Sequence, residues 1–139
     1  MKIYRLFALS KGKNPLVKPE GTGTYKNPDY TKGHHVFQGA AFSGAPGYDY
    51  DGAYTIGDTF MRDNNIYHGA ASGSQSRQQA ALRNSGQPNT MEAQATIAYN
   101  ALITAGASNE VAKNTVFYAQ VDMYAHGVTK PSRIPGGRK

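Results

Sequence analysis

Proline placement sets the first limit on this fold. Pro15, Pro19 and Pro28 fall within residues 10–33, a stretch otherwise rich in Lys, Gly, Asn and Thr. Each proline removes a backbone donor and clashes with the preceding turn, so no helix runs through this segment. The pairs Asn14-Pro15, Lys18-Pro19 and Asn27-Pro28 favour extended or turn conformations instead. Upstream, residues 3–9 form a short apolar run of β-formers, a candidate strand. Residues 1–30 therefore read as an irregular basic arm. Its first ten residues lack the long apolar stretch and small-residue cleavage site of a signal peptide.

Residues 31–71 read as strands and loops. Residues 34–42 form a strand or strand-to-turn, and residues 43–52 a loop dense in Gly, Pro, Tyr and Asp. The carboxylates of Asp49 and Asp51 match no calcium-loop spacing, so this stretch is a solvated turn. In residues 54–60, Tyr54, Ile56 and Phe60 are interleaved with small or polar residues, which predicts a second strand. Asn64-Asn65 signals a turn, and residues 66–68 a brief strand.

From residue 72 onward the pattern changes to helix. Residues 72–84 contain no breaker, Ser72 and Gln75 make a capping-box pair, and Gly86 and Pro88 end the run. In residues 90–105, opened by Asn89 and Glu92 as another such pair, Met91, Ala95, Ala98, Leu102 and Ala105 recur at helical spacing before Gly106. A third helix spans residues 109–126, with Ser108 as N-cap, Gly127 as stop, and Val111, Phe117, Val121 and Tyr124 on its buried side. The short Gly-Ala-Ser link makes the last two helices an antiparallel pair. Residues 128–139 are an extended basic tail. The expected fold class is α+β: short β-strands and loops in the N-terminal half, three helices in the C-terminal half. A length of 139 residues fits one domain.

Composition narrows the function. There is no cysteine, which removes disulfides and thiolate metal sites. No apolar run approaches the roughly 20 residues a membrane helix needs, so no membrane insertion is expected. The net charge is +6 and the pI near 9.6, a balance that suits a polyanionic partner such as nucleic acid or an acidic protein. The positive charges are spread through the N-terminal third and crowd again at Lys130, Arg133, Arg138 and Lys139. Tyrosine rings can stack on bases, but packing is their commoner use and none of the ten stands out.

The chemically pointed residues are few. His34 and His35 are adjacent on a predicted strand, so their side chains face opposite ways. Histidine exchanges protons near neutral pH and is the commonest metal ligand. Asn64, Asn65 and His68 follow, then a polar helix with Gln75, Gln78 and Gln79. This is the outline of a one-metal nuclease: a histidine activates water, an asparagine orients it, and a divalent cation neutralises the phosphate. His126, at a helix end, is read as structural.

Gly33-His34-His35-Val36-Phe37-Gln38-Gly39-Ala40-Ala41 resembles the Gly-His-His motif that opens C-terminal nuclease toxin domains of bacterial polymorphic toxins. These are the His-Asn-His (HNH), endonuclease-VII-like domains at the ends of Rhs, contact-dependent and secretion-delivered toxins. Tyr99-Asn100-Ala101-Leu102, Ala105-Gly106, Ala112 and the stretch from Gly127-Val128 to Arg133-Ile134-Pro135-Gly136 are similar to the helical pair and closing segment of some of them. The resemblance covers roughly residues 30–136.

It implies an antibacterial toxin, delivered into a target cell as the C-terminal part of a larger protein. There it would cleave nucleic acid, DNA or RNA, in the cytoplasm and be neutralised by a cognate immunity protein. His35 would be the general base and His34 its companion, Asn65 or Asn64 the orienting amide, and His68 the second site histidine. His34 and His68 would hold a divalent metal, magnesium or zinc. Lys32, Asn64, Gln75, Arg77 and Gln78 would contact substrate. The family pattern expects a metal-binding histidine inside the helix after the asparagine, where this chain offers only glutamines, poor ligands for transition metals. Either His68 supplies it from the loop before the helix, or no metal is used. In the latter case His35, His68 and Lys32 or Arg77 would cleave RNA through its own 2′-hydroxyl without a cofactor. A non-catalytic basic binding module is the contrasting expectation. ADP-ribosyl transfer is disfavoured, because Glu20, Glu92 and Glu110 are far apart in sequence.

Overall fold

Three short strands meet edge to edge and hand the chain to a run of helices. The computed structural model describes residues 18–27 and 32–136, so the candidate strand at residues 3–9 lies outside the described residues. Strand β1 is Thr22–Gly23, β2 is Gly33–His35 and β3 is Thr55–Gly57. They form an antiparallel sheet in the order β1-β3-β2. Thr22 and His34 both lie opposite Ile56, and His35 lies opposite Thr55. Residues directly opposite share a face, so His34 is on the face of the fully buried Ile56 and His35 on the other. Between β2 and β3 the chain makes a 3-10 turn, Gly39–Ala41.

Four helices follow: α1, Asp58–Asp63; α2, His68–Ser85; α3, Met91–Ala105; and α4, Asn109–Ala125. The α+β reading stands, with one more helix than expected. Residues 54–60 are not one strand: β3 stops at Gly57, whose extended backbone becomes the N-cap of α1. Asp58 in the first turn favours the helix by its charge against the dipole, and α1 buries Met61. Residues 66–68 are not a strand either. The Ile66 N–H bonds the Met61 carbonyl, the Tyr67 N–H bonds the Ala105 carbonyl at the end of α3, and helix begins at His68. Ser72, read as a cap, is therefore one turn inside α2.

The later boundaries follow the caps. Thr90, not Asn89, is the N-cap of α3 and accepts from the Ala93 N–H. Ser108 caps α4 by accepting from Val111 N–H. Gly86 and Gly106 end α2 and α3 in the left-handed region. On α3 the stripe Met91, Ala95, Ala98, Leu102, Ala105 is buried as its spacing requires. On α4 the buried stripe is instead Ala112, Val116, Ala119 and Met123; Val111, Phe117, Val121 and Tyr124 are half-buried. Alanines at the contact let two helices approach closely, and a reading weighted toward large side chains passes over them.

Apart from Ala71, the side chains that helix α2 buries are polar: Ser74, Gln75 and Gln79. Gln79 and Gln94 of α3 exchange amide hydrogen bonds at 2.7 and 3.0 Å. Gln94 also donates to Asn89, and Gln79 to Gln38. The core runs from Val36, Phe37 and Phe42 through Ile56 and Met61 to Leu102, Val116 and Val128. No helix among the described residues is long and apolar enough to cross a membrane.

Candidate functional site

Strand alternation separates the histidine pair. His35 is packed between two tyrosines: it stacks on Tyr50 at 4.2 Å between centroids and meets the Tyr25 ring edge-on at 5.0 Å. Its Nε2–H donates to the Tyr50 carbonyl at 2.9 Å. Burial pushes its pKa down, opposed by that hydrogen bond. Tyr25 in turn donates its hydroxyl to the Gly33 carbonyl. His35 thus ties β2 to the loop before β3 and stands apart from the other candidates.

His34 points the other way and meets His68. The two rings are 5.0 Å apart between centroids and nearly perpendicular. His34 is 4% exposed, and its Nε2 has no hydrogen-bond partner among the described residues. Burial first, then the neighbouring His68 and His35, push its pKa down to about 3. It is a neutral imidazole at any physiological pH. Gly33 makes this placement possible, because a Cβ there would lie 2.4 Å from the Ile56 carbonyl oxygen.

His68 is the accessible member of the pair, with its side chain half exposed. Its position at the first residue of α2 means that the helix after the asparagines does carry a histidine. Its Nδ1 lies 3.7 Å from Asp58 Oδ1, at the first residue of α1. A groove of 370 Å³ opens beside this pair, with Met61 and Ile66 beneath it and Arg62, Asn65 and Tyr67 around it. Asn65 holds a left-handed backbone at φ 57°. Its carbonyl packs against Gly106, where a Cβ would come within 2.6 Å. The turn between α3 and α4 thereby fixes the loop that carries Asn65 and Tyr67.

The remaining candidates lie elsewhere. Asn64 donates its amide to the Phe60 carbonyl and closes the end of α1. Gln75 is buried and donates to the Val36 carbonyl; Gln78 donates to Ser74 and Ile97 and accepts from Asn100. Gln75 thus ties α2 to the segment after β2, and Gln78 ties it to α3. Lys32 is exposed, and its carbonyl accepts from the Asp58 N–H. Arg77 is exposed nine residues along α2 from His68, about 13 Å by helical rise. Asp58, Arg62 and Tyr67 were not singled out from the sequence. The signal for the first two was their four-residue spacing after Gly57, hidden while residues 54–60 read as a strand.

Among the described residues no three His, Cys, Asp or Glu side chains are grouped to hold a metal ion. The assembled groups offer one solvent-accessible imidazole, a carboxylate that can orient it, a guanidinium and an amide. No family model matches the chain, and neither curated proteins nor solved structures yield a match.

Proposed function

We propose that this protein cleaves phosphodiester bonds of nucleic acid, RNA in the first instance, with His68 as the acid–base group. One observation carries the reading. His68, backed by the neutral His34 and flanked by Asp58, faces a groove that also holds Arg62 and Asn65. Asp58 places a carboxylate oxygen 3.7 Å from the imidazole Nδ1, on the side of the ring away from the reacting proton. Arg62 supplies the cation for the phosphate oxygens, and Asn65 a neutral hydrogen-bonding group.

Only one accessible imidazole serves this groove, so the simplest nucleophile is one the substrate brings. The RNA 2′-hydroxyl loses its proton to His68, and its oxygen attacks phosphorus. The bond to the 5′-oxygen breaks, and that oxygen takes the proton back from His68. The products are a 2′,3′-cyclic phosphate and a 5′-hydroxyl end. The general-base role moves from His35 to His68, because His35 has its Nε2 committed to Tyr50.

A metal-assisted version has one observation in its favour: the Nε2 of His34 has no hydrogen-bond partner among the described residues, and its ring lies 5.0 Å from that of His68. Those two imidazoles would hold a zinc ion, which would neutralise phosphate charge. Two donors fall short of the three protein ligands usual at a catalytic zinc site, and magnesium prefers oxygen ligands. Delivery as the end of a larger toxin, action in a target-cell cytoplasm and restraint by an immunity protein rest on the resemblance around Gly33-His34-His35. The net charge of +6 supports an acidic partner of either kind.

The test incubates the purified protein and His68→Ala with total RNA and with plasmid DNA, each with magnesium and with EDTA. RNA cleavage indifferent to EDTA, leaving cyclic phosphate ends and lost in the variant, is the expected result. Magnesium-dependent cutting of DNA would move the assignment to the metal-assisted version. Intact nucleic acid throughout would overturn the nuclease reading.

A further inference from the structure

Tyr67 is 64% exposed, more than any other large hydrophobic side chain among the described residues. Single exposed apolar residues are ordinary on a protein surface, so exposure alone carries nothing. Two further observations set Tyr67 apart. Its backbone is fixed at both ends: the N–H donates to the Ala105 carbonyl at 2.9 Å, and the carbonyl accepts from Ala71 N–H at 3.1 Å. Tyr67 lines the same groove as Arg62, Asn65 and His68. Tyr50, the next most exposed, stacks on His35; the Tyr67 ring stacks on no ring among the described residues.

An exposed aromatic ring on a fixed backbone, beside a guanidinium and an amide, is what an unstacked nucleotide needs. The base lies on the ring, the phosphate meets the cation, and an amide can bond a base edge or sugar hydroxyl. A base inside a duplex has both faces covered by its neighbours and cannot use the ring. We infer that the groove takes single-stranded RNA, with one base stacked on Tyr67 and the adjoining phosphate between Arg62 and His68. This rests on the RNA-cleavage reading for the choice of RNA, and adds what selects the strand. Tyr67 is a specificity-determining residue: it sets where along an RNA the site engages.

The experiment separates binding from cleavage. Fluorescence anisotropy is measured in the His68→Ala background with a labelled, unstructured RNA oligonucleotide and with the same sequence paired into a duplex. Tyr67→Ala, Tyr67→Leu and Tyr67→Phe are added, and circular dichroism confirms that each is folded. The single strand should bind more tightly than the duplex. Tyr67→Ala and Tyr67→Leu should each weaken that binding by about tenfold, the usual effect of losing one base–aromatic stack, while Tyr67→Phe retains it. Equal binding of strand and duplex, or folded Ala and Leu variants at full affinity, would overturn the inference and leave the cleavage reading intact. Tyr67-dependent binding to an RNA that the unmutated protein does not cut would uphold the inference and remove the cleavage reading.

Discussion

A methyl group on Gly33 would sit 2.4 Å from the Ile56 carbonyl oxygen, a backbone atom that cannot move aside alone. Gly33→Ala must therefore push β2 away from β3, and His34 with it. Overpacking of this kind costs about 1–3 kcal/mol, so thermal unfolding should show a lower midpoint and any RNA cleavage should fall with it. An unchanged midpoint would mean that the strands separate freely. His34 itself makes stability depend on pH. Its folded pKa, about 3, lies below the ordinary histidine value of 6.5. Between those values the unfolded chain binds a proton that the folded one refuses. The contribution is therefore full above pH 6.5 and is lost as pH falls toward 3, at up to about 1.4 kcal/mol per pH unit. His35, also shifted down, adds a slope of the same sign. Unfolding free energies across this range should fall on acidification, and less steeply in His34→Leu; parallel curves for the two proteins would refute the burial argument.

Helices α2 and α3 meet through amides where bundles ordinarily use leucines. Gln79 and Gln94 satisfy each other in a buried site, and a polar network there is stabilising only while complete. Gln94→Ala leaves the Gln79 amide oxygen without its donor and should cost about 1–3 kcal/mol in urea unfolding. The double change Gln79→Leu with Gln94→Leu should recover part of that loss, since both members of the buried pair go together and the acceptors that lose a donor, on Gln38 and Asn89, are only half-buried. A double variant as weak as the single one would show that the pair is not what joins the helices. The glutamine-rich face of α2 suggested substrate contacts because periodicity reports which residues share a face, not what that face meets. Gln75 and Gln79 are oriented inward because α3 and the segment after β2 are there to receive their amides.

Across the whole molecule, the segment after α4 returns to the turn between β2 and β3. Val128 is buried. Ser132 donates its N–H to the Ala41 carbonyl and its hydroxyl to the Ser43 carbonyl, and Arg83 donates to the Pro135 carbonyl. Residues 128–136 are a clasp, and residues 137–139 of the expected basic tail lie outside the described residues. Ending the chain after Gly127 should cost at least the burial of Val128, about 1.5–3 kcal/mol, and lower the melting temperature by roughly 5–10 °C; an unaltered melt would mean the clasp adds nothing. The net charge of +6 acts at the same scale. RNA affinity should fall steeply as salt is raised from low to physiological concentration, and an affinity flat with salt would exclude a phosphate-tracking surface.

Local chemistry determined a good deal of this. Prolines kept helices out of the described N-terminal residues, Ser108 and Gly106 marked the boundaries of α3 and α4, and the Met91–Ala105 spacing defined a buried stripe. Strand alternation already implied that His34 and His35 face opposite ways. Each depends on forces acting within a few residues, which is why sequence alone carries them. Which histidine faces His68 depended on Ile56 being in the core, a pairing across more than twenty residues of chain. The groove of Asp58, Arg62, Asn65, Tyr67 and His68 needed α1 to start where a strand was expected, and the α3–α4 turn to hold the loop after it. Those are packing decisions: the same short segments are open to strand or helix until the core and their hydrogen-bond partners are in place.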